Sequence, residues 1–98
     1  MRCTWNLEKA DRNLRIHGVS FEMAAKIFHD PSHVVTENYF IQEEGEQRYQ
    51  AIGTSGGLAL LLVVFVDRSG PEGEIIHIIS AGKATAYEKS AYKDRFRR

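Results

Sequence analysis

An unbroken apolar run, LALLLVVFV from Leu58 to Val66, constrains the fold of this chain more than any other feature. Its nine residues are too few for a bilayer-spanning helix, which needs about 20. A strand that is apolar at every position is typical of the middle of a sheet, where both faces are covered. We therefore expect a sheet with this strand near its centre and other elements packed against it.

Helical spacing dominates the chain before this run. Arg2 to Trp5 predicts a short first strand, and Asn6 is a good N-cap for a helix that Gly18 ends. Ser20 caps a second helix, which Pro31 prevents from continuing. The residues expected on the packed stripe of the first helix are Leu7, Ala10, Leu14 and His17.

From Val34 onward the pattern favours strands. Polar or glycine-rich turns are predicted at Gln42–Gln47, Gly53–Gly57 and Asp67–Gly73. Thr85 and Glu88 form a capping box at the start of a last helix, which carries Tyr87 and Ala91 on one face. The predicted strands are Val34–Phe40, Arg48–Ile52, Leu58–Val66 and Glu74–Ile79. The fold class is thus α+β in one domain, residues 1–98. It has an antiparallel sheet of about four strands, two N-terminal helices and a C-terminal helix.

Charge and cysteine content narrow the function. The 13 basic and 13 acidic residues cancel, yet residues 75–98 carry six basic and two acidic side chains, a net of +4. Such an element is either an ordinary solvated surface or a contact for phosphate or an acidic partner. Cys3 is the only cysteine, which fits a reducing cytosol, and no apolar leader opens the chain, so we expect a cytoplasmic protein without a membrane segment.

Two histidines four residues apart, His29 and His33, invite a metal-site interpretation. Pro31 lies between them, so they cannot be neighbours on one regular helical face. We therefore expect no metal site and no cofactor.

Several segments together resemble the BrnT family of bacterial toxins. They are WNLEKADRNLRIHGVSF from Trp5 to Phe21, Asp30–Pro31, GEQRYQAIG from Gly45 to Gly53, and IISAGKAT from Ile78 to Thr85. The resemblance spans nearly the whole chain. It implies a RelE-like fold, metal-independent RNA cleavage that inhibits translation, and a ribbon-helix-helix antitoxin partner, called BrnA. It also suggests a hetero-oligomer in which an antitoxin dimer joins two toxins.

The chain departs from the family pattern at three positions. His77 stands where an arginine is common, and Gly82 stands where the resemblance implies a catalytic arginine. Asn6 replaces a common aspartate, a mild change because both residues are good N-caps.

Five residues are candidates for catalysis, each with a simpler alternative. Arg68 is either a phosphate contact or an exposed turn cation. His77 is either a proton-transfer group or a hydrogen-bonded histidine on a half-buried face. Lys83 either replaces some of the charge missing at position 82 or is a solvated loop lysine. Glu88 is a catalytic carboxylate or only a cap, and Tyr92 stacks on a base or packs the last helix.

Four further residues are candidates for RNA binding, namely Trp5, Lys9, Lys89 and Arg95. Trp5 is also a good candidate for the core. The sequence leaves two functions open. The chain is either an active ribonuclease toxin or a catalytically impaired toxin-fold protein that serves as partner and corepressor of its antitoxin.

Overall fold

The computed structural model of the chain describes residues 1–37, 47–57 and 59–94. The strands are β1 (Arg2–Trp5), β2 (Val34–Glu37), β3 (Arg48–Ser55), β4 (Ala59–Asp67) and β5 (Ile75–Lys83). The helices are α1 (Leu7–His17), α2 (Phe21–Ala25) and α3 (Ala86–Asp94), and a 3-10 helix (Lys26–His29) follows α2 directly. The predicted turn at Gln42–Gln47 and the end of the strand predicted at Val34–Phe40 lie mostly outside the described residues.

The strands form one mixed sheet in the order β1-β5-β4-β3-β2. β4 is central, as its apolar run predicts, and β2 to β5 form an antiparallel meander. The α+β class is confirmed, and so is the first strand predicted at Arg2–Trp5. The expected antiparallel sheet of about four strands is corrected to a mixed sheet of five, because β1 joins it by pairing in parallel with β5 and covers an edge that would otherwise present unpaired backbone groups.

One face of the sheet carries α1, α2 and the 3-10 helix, and we call it the helix face. The buried core lies between these elements and β3, β4 and β5. Its largest fully buried side chains are Phe21, Ile27, Leu61, Ile78, Val19 and Val63. Because successive strand residues point to opposite faces, alternate residues of β4 and β5 project away from this core to the second face.

Both predicted ends of α1 are confirmed. Asn6 Oδ1 accepts a hydrogen bond from the Lys9 backbone N–H at 3.0 Å, and Gly18 adopts a left-handed φ of 69°. The predicted packed stripe is confirmed only for Ala10, which packs against the core. Leu7 and Leu14 are 80% and 49% exposed, His17 is exposed, and the buried residue of α1 is the polar Asn13.

Asn13 continues the hydrogen bonding of the sheet beyond the end of β1. β1 stops at Trp5, opposite Ile78, so β5 has no strand neighbour at Ala81 on that side. There the Asn13 amide donates to Ala81 O at 2.8 Å and accepts from Ala81 N–H at 3.2 Å. It also donates to Val19 O at 2.9 Å, so one buried amide joins α1, the α1–α2 loop and β5.

The expected turn at Gly53–Gly57 begins later than predicted, because β3 continues to Ser55 and turns only at Gly56 and Gly57. Gly53 lies inside the strand, where the 3-10 helix crosses it. A Cβ atom at Gly53 would meet His33 Cβ at 3.0 Å and Ile27 Cβ at 3.2 Å. This glycine thus permits a close approach of two backbones.

The last strand and helix also differ from expectation. β5 extends to Lys83, four residues beyond the predicted end at Ile79, because β4 offers a partner along that whole length. α3 begins as its capping box predicts, but Tyr87 is 85% exposed and is not part of a packed face. Among the described residues, no helix has the length and apolar character needed to cross a membrane.

Candidate functional site

A row of side chains crosses four strands on the second face of the sheet. Register places Arg48 of β3 opposite Val66 of β4, Val66 opposite His77 of β5, and His77 opposite Thr4 of β1. Neighbouring strands lie about 4.8 Å apart, so the Cα atoms of Arg48 and His77 are roughly 10 Å apart. The sheet therefore brings a guanidinium and an imidazole to one face at one level.

His77 is held in this row by a hydrogen bond with Thr4. The Thr4 Oγ1 and His77 Nδ1 atoms are 2.8 Å apart, and both residues are half-buried. Because either atom can be the donor, the tautomer of the ring decides the direction of this bond. A hydroxyl that fixes one ring nitrogen orients the other, which is the arrangement a proton-transfer histidine needs.

A bulge in β5 decides which later residues share a face with His77. Phe65 pairs with Ile78 and Val64 with Ser80, so Ile79 is an extra residue in β5. The alternation shifts there, and Ala81 rather than Ser80 joins the core. Gly82 consequently lies on the same face as His77.

Gly82 is spatially unconstrained. A Cβ atom built there meets no atom within 4 Å, in contrast to Gly53, and its φ is not positive. A side chain can therefore begin at this position, where the family resemblance implies an arginine, without a clash at its Cβ atom. The sequence has lost a charge at an open position of the second face.

Arg68 lies at the same end of the β4–β5 hairpin as His77. It directly follows β4, is exposed, and its backbone N–H donates to Ile75 O at 2.9 Å. The preceding Asp67 accepts hydrogen bonds from the Ser69 hydroxyl and from its backbone N–H, at 2.9 Å for the latter, and these bonds lower the pKa of Asp67. This short turn fixes the backbone from which Arg68 projects.

Lys83, Glu88 and Tyr92 lie at the opposite end of the sheet. Lys83 is exposed and follows His77 by six residues along β5, which is roughly 20 Å at 3.3 Å per residue. Glu88 serves as a cap, because its Oε1 accepts from the Thr85 N–H at 2.7 Å while its own N–H donates to Thr85 Oγ1 at 3.2 Å. The five predicted catalytic residues are therefore divided between two ends and do not form one constellation.

Tyr92 reaches a carboxylate that sequence reasoning did not single out as a site residue. Its hydroxyl donates to Asp30 Oδ2 at 2.8 Å, and the same oxygen accepts from the Thr54 N–H at 2.9 Å and from Thr54 Oγ1 at 3.1 Å. Oδ1 accepts from the Ser32 N–H at 2.9 Å. Burial raises the pKa of Asp30, but these hydrogen bonds outweigh it and lower the pKa to about 2.

The Asp30 carboxylate thus joins three separate segments, namely the turn after the 3-10 helix, the end of β3, and α3. Burial and the bond to the carboxylate raise the pKa of Tyr92, so the phenol stays protonated and remains a donor. Tyr92 packs α3 against the sheet, which is the simpler of its two predicted roles.

The predicted RNA-binding residues do not share one surface. Trp5 is half-buried and contacts Phe21 edge to face at a centroid distance of 6.1 Å, so it belongs to the core periphery. Lys9 is exposed on α1, and Lys89 is exposed on α3. Arg95 lies outside the described residues.

No group of three metal-ligating side chains occurs within residues 1–37, 47–57 and 59–94. His33, one of the two histidines considered for a metal site, lies with its Nδ1 2.7 Å from the backbone carbonyl of Asp30. It also contacts Phe28 edge to face. This histidine has a structural role in the turn after the 3-10 helix.

Sequence reasoning missed three residues that the fold makes important: Asn13, Asp30 and Arg48. All three stood inside the segments that resemble the BrnT family, which was the only available signal. Arg48 is buried on the second face, and its level with His77 follows only from strand register.

The fold and the family segments define a small toxin of a type II toxin–antitoxin system. The model of the family described as "Ribonuclease toxin, BrnT, of type II toxin-antitoxin system" matches residues 5–88. The chain belongs to this BrnT family. Membership implies an antitoxin partner.

A solved structure supports the assignment. The chain resembles the crystal structure of the Brucella abortus ribonuclease toxin BrnT with a TM-score of 0.62 and 25% sequence identity. The similarity covers 87% of this chain and 97% of that one. Among curated proteins, no sequence matches the chain.

Proposed function

We propose that this chain is a cytoplasmic toxin that cleaves RNA without a metal ion and is neutralised by a ribbon-helix-helix antitoxin. The observation that carries the proposal is the row on the second face, with His77 fixed by Thr4 and level with Arg48. Arg68 lies two residues beyond Val66 and adds a second guanidinium at the same end. RNA cleavage of this kind requires a proton-transfer group and cations at the phosphate.

In the proposed reaction, the ribose 2′-oxygen attacks the adjacent phosphorus and the bond to the 5′-oxygen breaks. The products are a 2′,3′-cyclic phosphate and a 5′-hydroxyl. His77 either accepts the 2′-hydroxyl proton or donates a proton to the leaving 5′-oxygen. Arginine is suited to the charge that develops on the phosphoryl oxygens, because its planar fork binds two oxygens at once.

The distant predicted residues fit a longer RNA path. Lys83 lies about 20 Å from His77 along β5, and Lys89 is exposed on α3. In this proposal they contact flanking phosphates, and Glu88 and Tyr92 maintain α3. The catalytic assignment is thus reduced to His77 and the two arginines.

The decisive experiment is cleavage of a labelled RNA in the presence of EDTA. The native chain is expected to cleave, and a 2′-deoxy substitution at the cleaved nucleotide is expected to abolish that cleavage. His77→Gln should lower the rate by about 100- to 10,000-fold, the usual contribution of a proton-transfer group. Thr4→Val is the matched control, since it removes only the hydrogen bond and should cause a smaller loss. Inhibition by EDTA would contradict metal independence.

A second candidate function is favoured by Gly82. A Cβ atom meets no neighbour at this position, so the backbone does not require a glycine there. The loss of the arginine implied by the family resemblance is what a disarmed toxin would show, one whose role is to bind its antitoxin and act as corepressor. Cleavage by Gly82→Arg alone, with no growth arrest from the native chain, would establish this alternative. A small ribbon-helix-helix protein encoded directly beside the chain would support either version of the module.

A further inference from the structure

One face of α1 borders a basic cleft whose residues, taken together, have no function in the proposed reaction. The cleft has a volume of about 220 Å³ and lies between α1 and the part of β5 beyond the end of β1. Its lining residues are Lys9, Arg12, Asn13, Ile16, His17, Ile79 and Ser80. Lys9, Arg12 and His17 are all exposed, and Ser80 is half-buried.

Helical spacing separates the charges of α1 into two faces. Lys9, Arg12 and His17 lie at i, i+3 and i+8 and share the face that Asn13 fixes against β5. Asp11 and Arg15 lie on another face, where they form an exposed ion pair at 3.6 Å. No carboxylate lines the cleft in the part of the chain that the structure describes, so its three nitrogen-bearing side chains are not neutralised from within it.

The cleft adjoins the second face of the sheet. Ser80 follows His77 by three residues, which places it within about 10 Å along β5. The bulge at Ile79 turns Ser80 to the face that carries His77 and Gly82. A strand bound in the cleft would therefore continue onto the row that contains His77.

We propose that Lys9, Arg12 and His17 form a phosphate-binding subsite for the RNA backbone, beside the His77 row. The inference rests on the proposed function in taking RNA as the ligand. The three side chains span eight residues of α1, or about 12 Å along the helix axis. The subsite supplies positive charge beside Ser80, two residues before the position where Gly82 replaces an arginine.

An acidic protein surface would also meet these charges, but the geometry favours RNA. The cleft contains both a lysine and an arginine, and its residue Ser80 lies within about 10 Å of His77 along β5.

The test measures binding rather than cleavage. A short single-stranded RNA with 2′-O-methyl riboses cannot be cleaved by its own 2′-oxygen, so its affinity can be followed by fluorescence anisotropy over a series of salt concentrations. Each phosphate contact contributes about 0.7 to the slope of log affinity against log salt. Lys9→Gln and Arg12→Gln should each lower the slope by about 0.7, and the double variant by about 1.4.

Arg15→Gln is the matched control, because it removes the same charge from the same helix but outside the cleft. It should leave the slope unchanged, and melting temperatures should show that all variants remain folded. An equal loss for Arg15→Gln, or an unchanged slope for the double variant, would overturn the proposal. A double variant that keeps RNA affinity but loses its antitoxin would assign the cleft to an acidic protein instead.

The outcome is independent of the cleavage assay. If the chain binds the 2′-O-methyl RNA through this cleft but cleaves no RNA, the subsite stands and the proposed ribonuclease activity falls. If the chain cleaves RNA and the cleft variants bind normally, the subsite falls alone.

Discussion

Replacing Asn13 by alanine should destabilise this protein more than the loss of any exposed side chain of α1. The side chain is 6% exposed and makes three hydrogen bonds, two as donor and one as acceptor. Alanine would leave the Ala81 N–H, the Ala81 carbonyl and the Val19 carbonyl without their partner. A buried polar group without a partner costs about 1–3 kcal/mol, and carbonyls tolerate the loss better than N–H groups.

The total expected loss is about 3–5 kcal/mol, a large part of the roughly 5–15 kcal/mol that stabilises a typical domain. At about 4 °C or more per kcal/mol for a domain of this length, the melting temperature should fall by about 12 °C or more. Urea denaturation gives the free energy of unfolding directly, and calorimetry gives the melting temperature.

Asn6→Ala provides the matched control on the same helix. Asn6 makes one exposed capping bond to the Lys9 N–H, so its loss should cost only about 1 kcal/mol. If Asn13→Ala costs no more than Asn6→Ala, then Asn13 does not replace the missing strand neighbour of β5, and the reasoning from buried hydrogen bonds is refuted.

Three further outcomes can be measured on the purified chain. Asp30→Asn should lower the free energy of unfolding by about 1 kcal/mol at neutral pH. Because the pKa of Asp30 is lowered to about 2 in the folded chain, this advantage of the native protein should disappear as pH falls from about 4 toward 2. A difference in urea midpoint that stays constant with pH would contradict this reasoning. Gly53→Ala should cost about 1–3 kcal/mol because its Cβ would meet His33 and Ile27, whereas Gly82→Ala should change stability by less than about 0.5 kcal/mol. Glu88→Gln keeps a capping oxygen and should leave both melting temperature and RNA cleavage unchanged, and a selective loss of cleavage would restore Glu88 as a catalytic carboxylate.

Much of the local structure could be predicted from sequence because its signals are local. Asn6 and Gly18 bound α1 through contacts within a few residues, and Thr85 and Glu88 open α3 in the same way. The apolar run that contains β4 predicted a central strand because burial on both faces demands apolar residues at every position.

Predictions failed where a residue type has two possible uses. Gly53 suggested a turn, yet it lies inside β3, where the absence of a side chain lets the 3-10 helix pack closely over the strand. Leu7 and Leu14 suggested the packed stripe of α1, yet the packed polar residue is Asn13, since an edge of β5 needed a hydrogen-bonding partner there. Local pattern cannot distinguish these uses, because the deciding neighbour is distant in sequence.

The sequence by itself determined the order of the elements, the centre of the sheet and, through family segments, the class of protein. Only the tertiary structure decided which candidates share a site. Strand register set Arg48 level with His77, the bulge at Ile79 turned Gly82 to their face, and the length of β5 separated Lys83 from them. The physical reason is that strand pairing joins residues far apart in the chain, and a shift of one residue moves every later side chain to the other face.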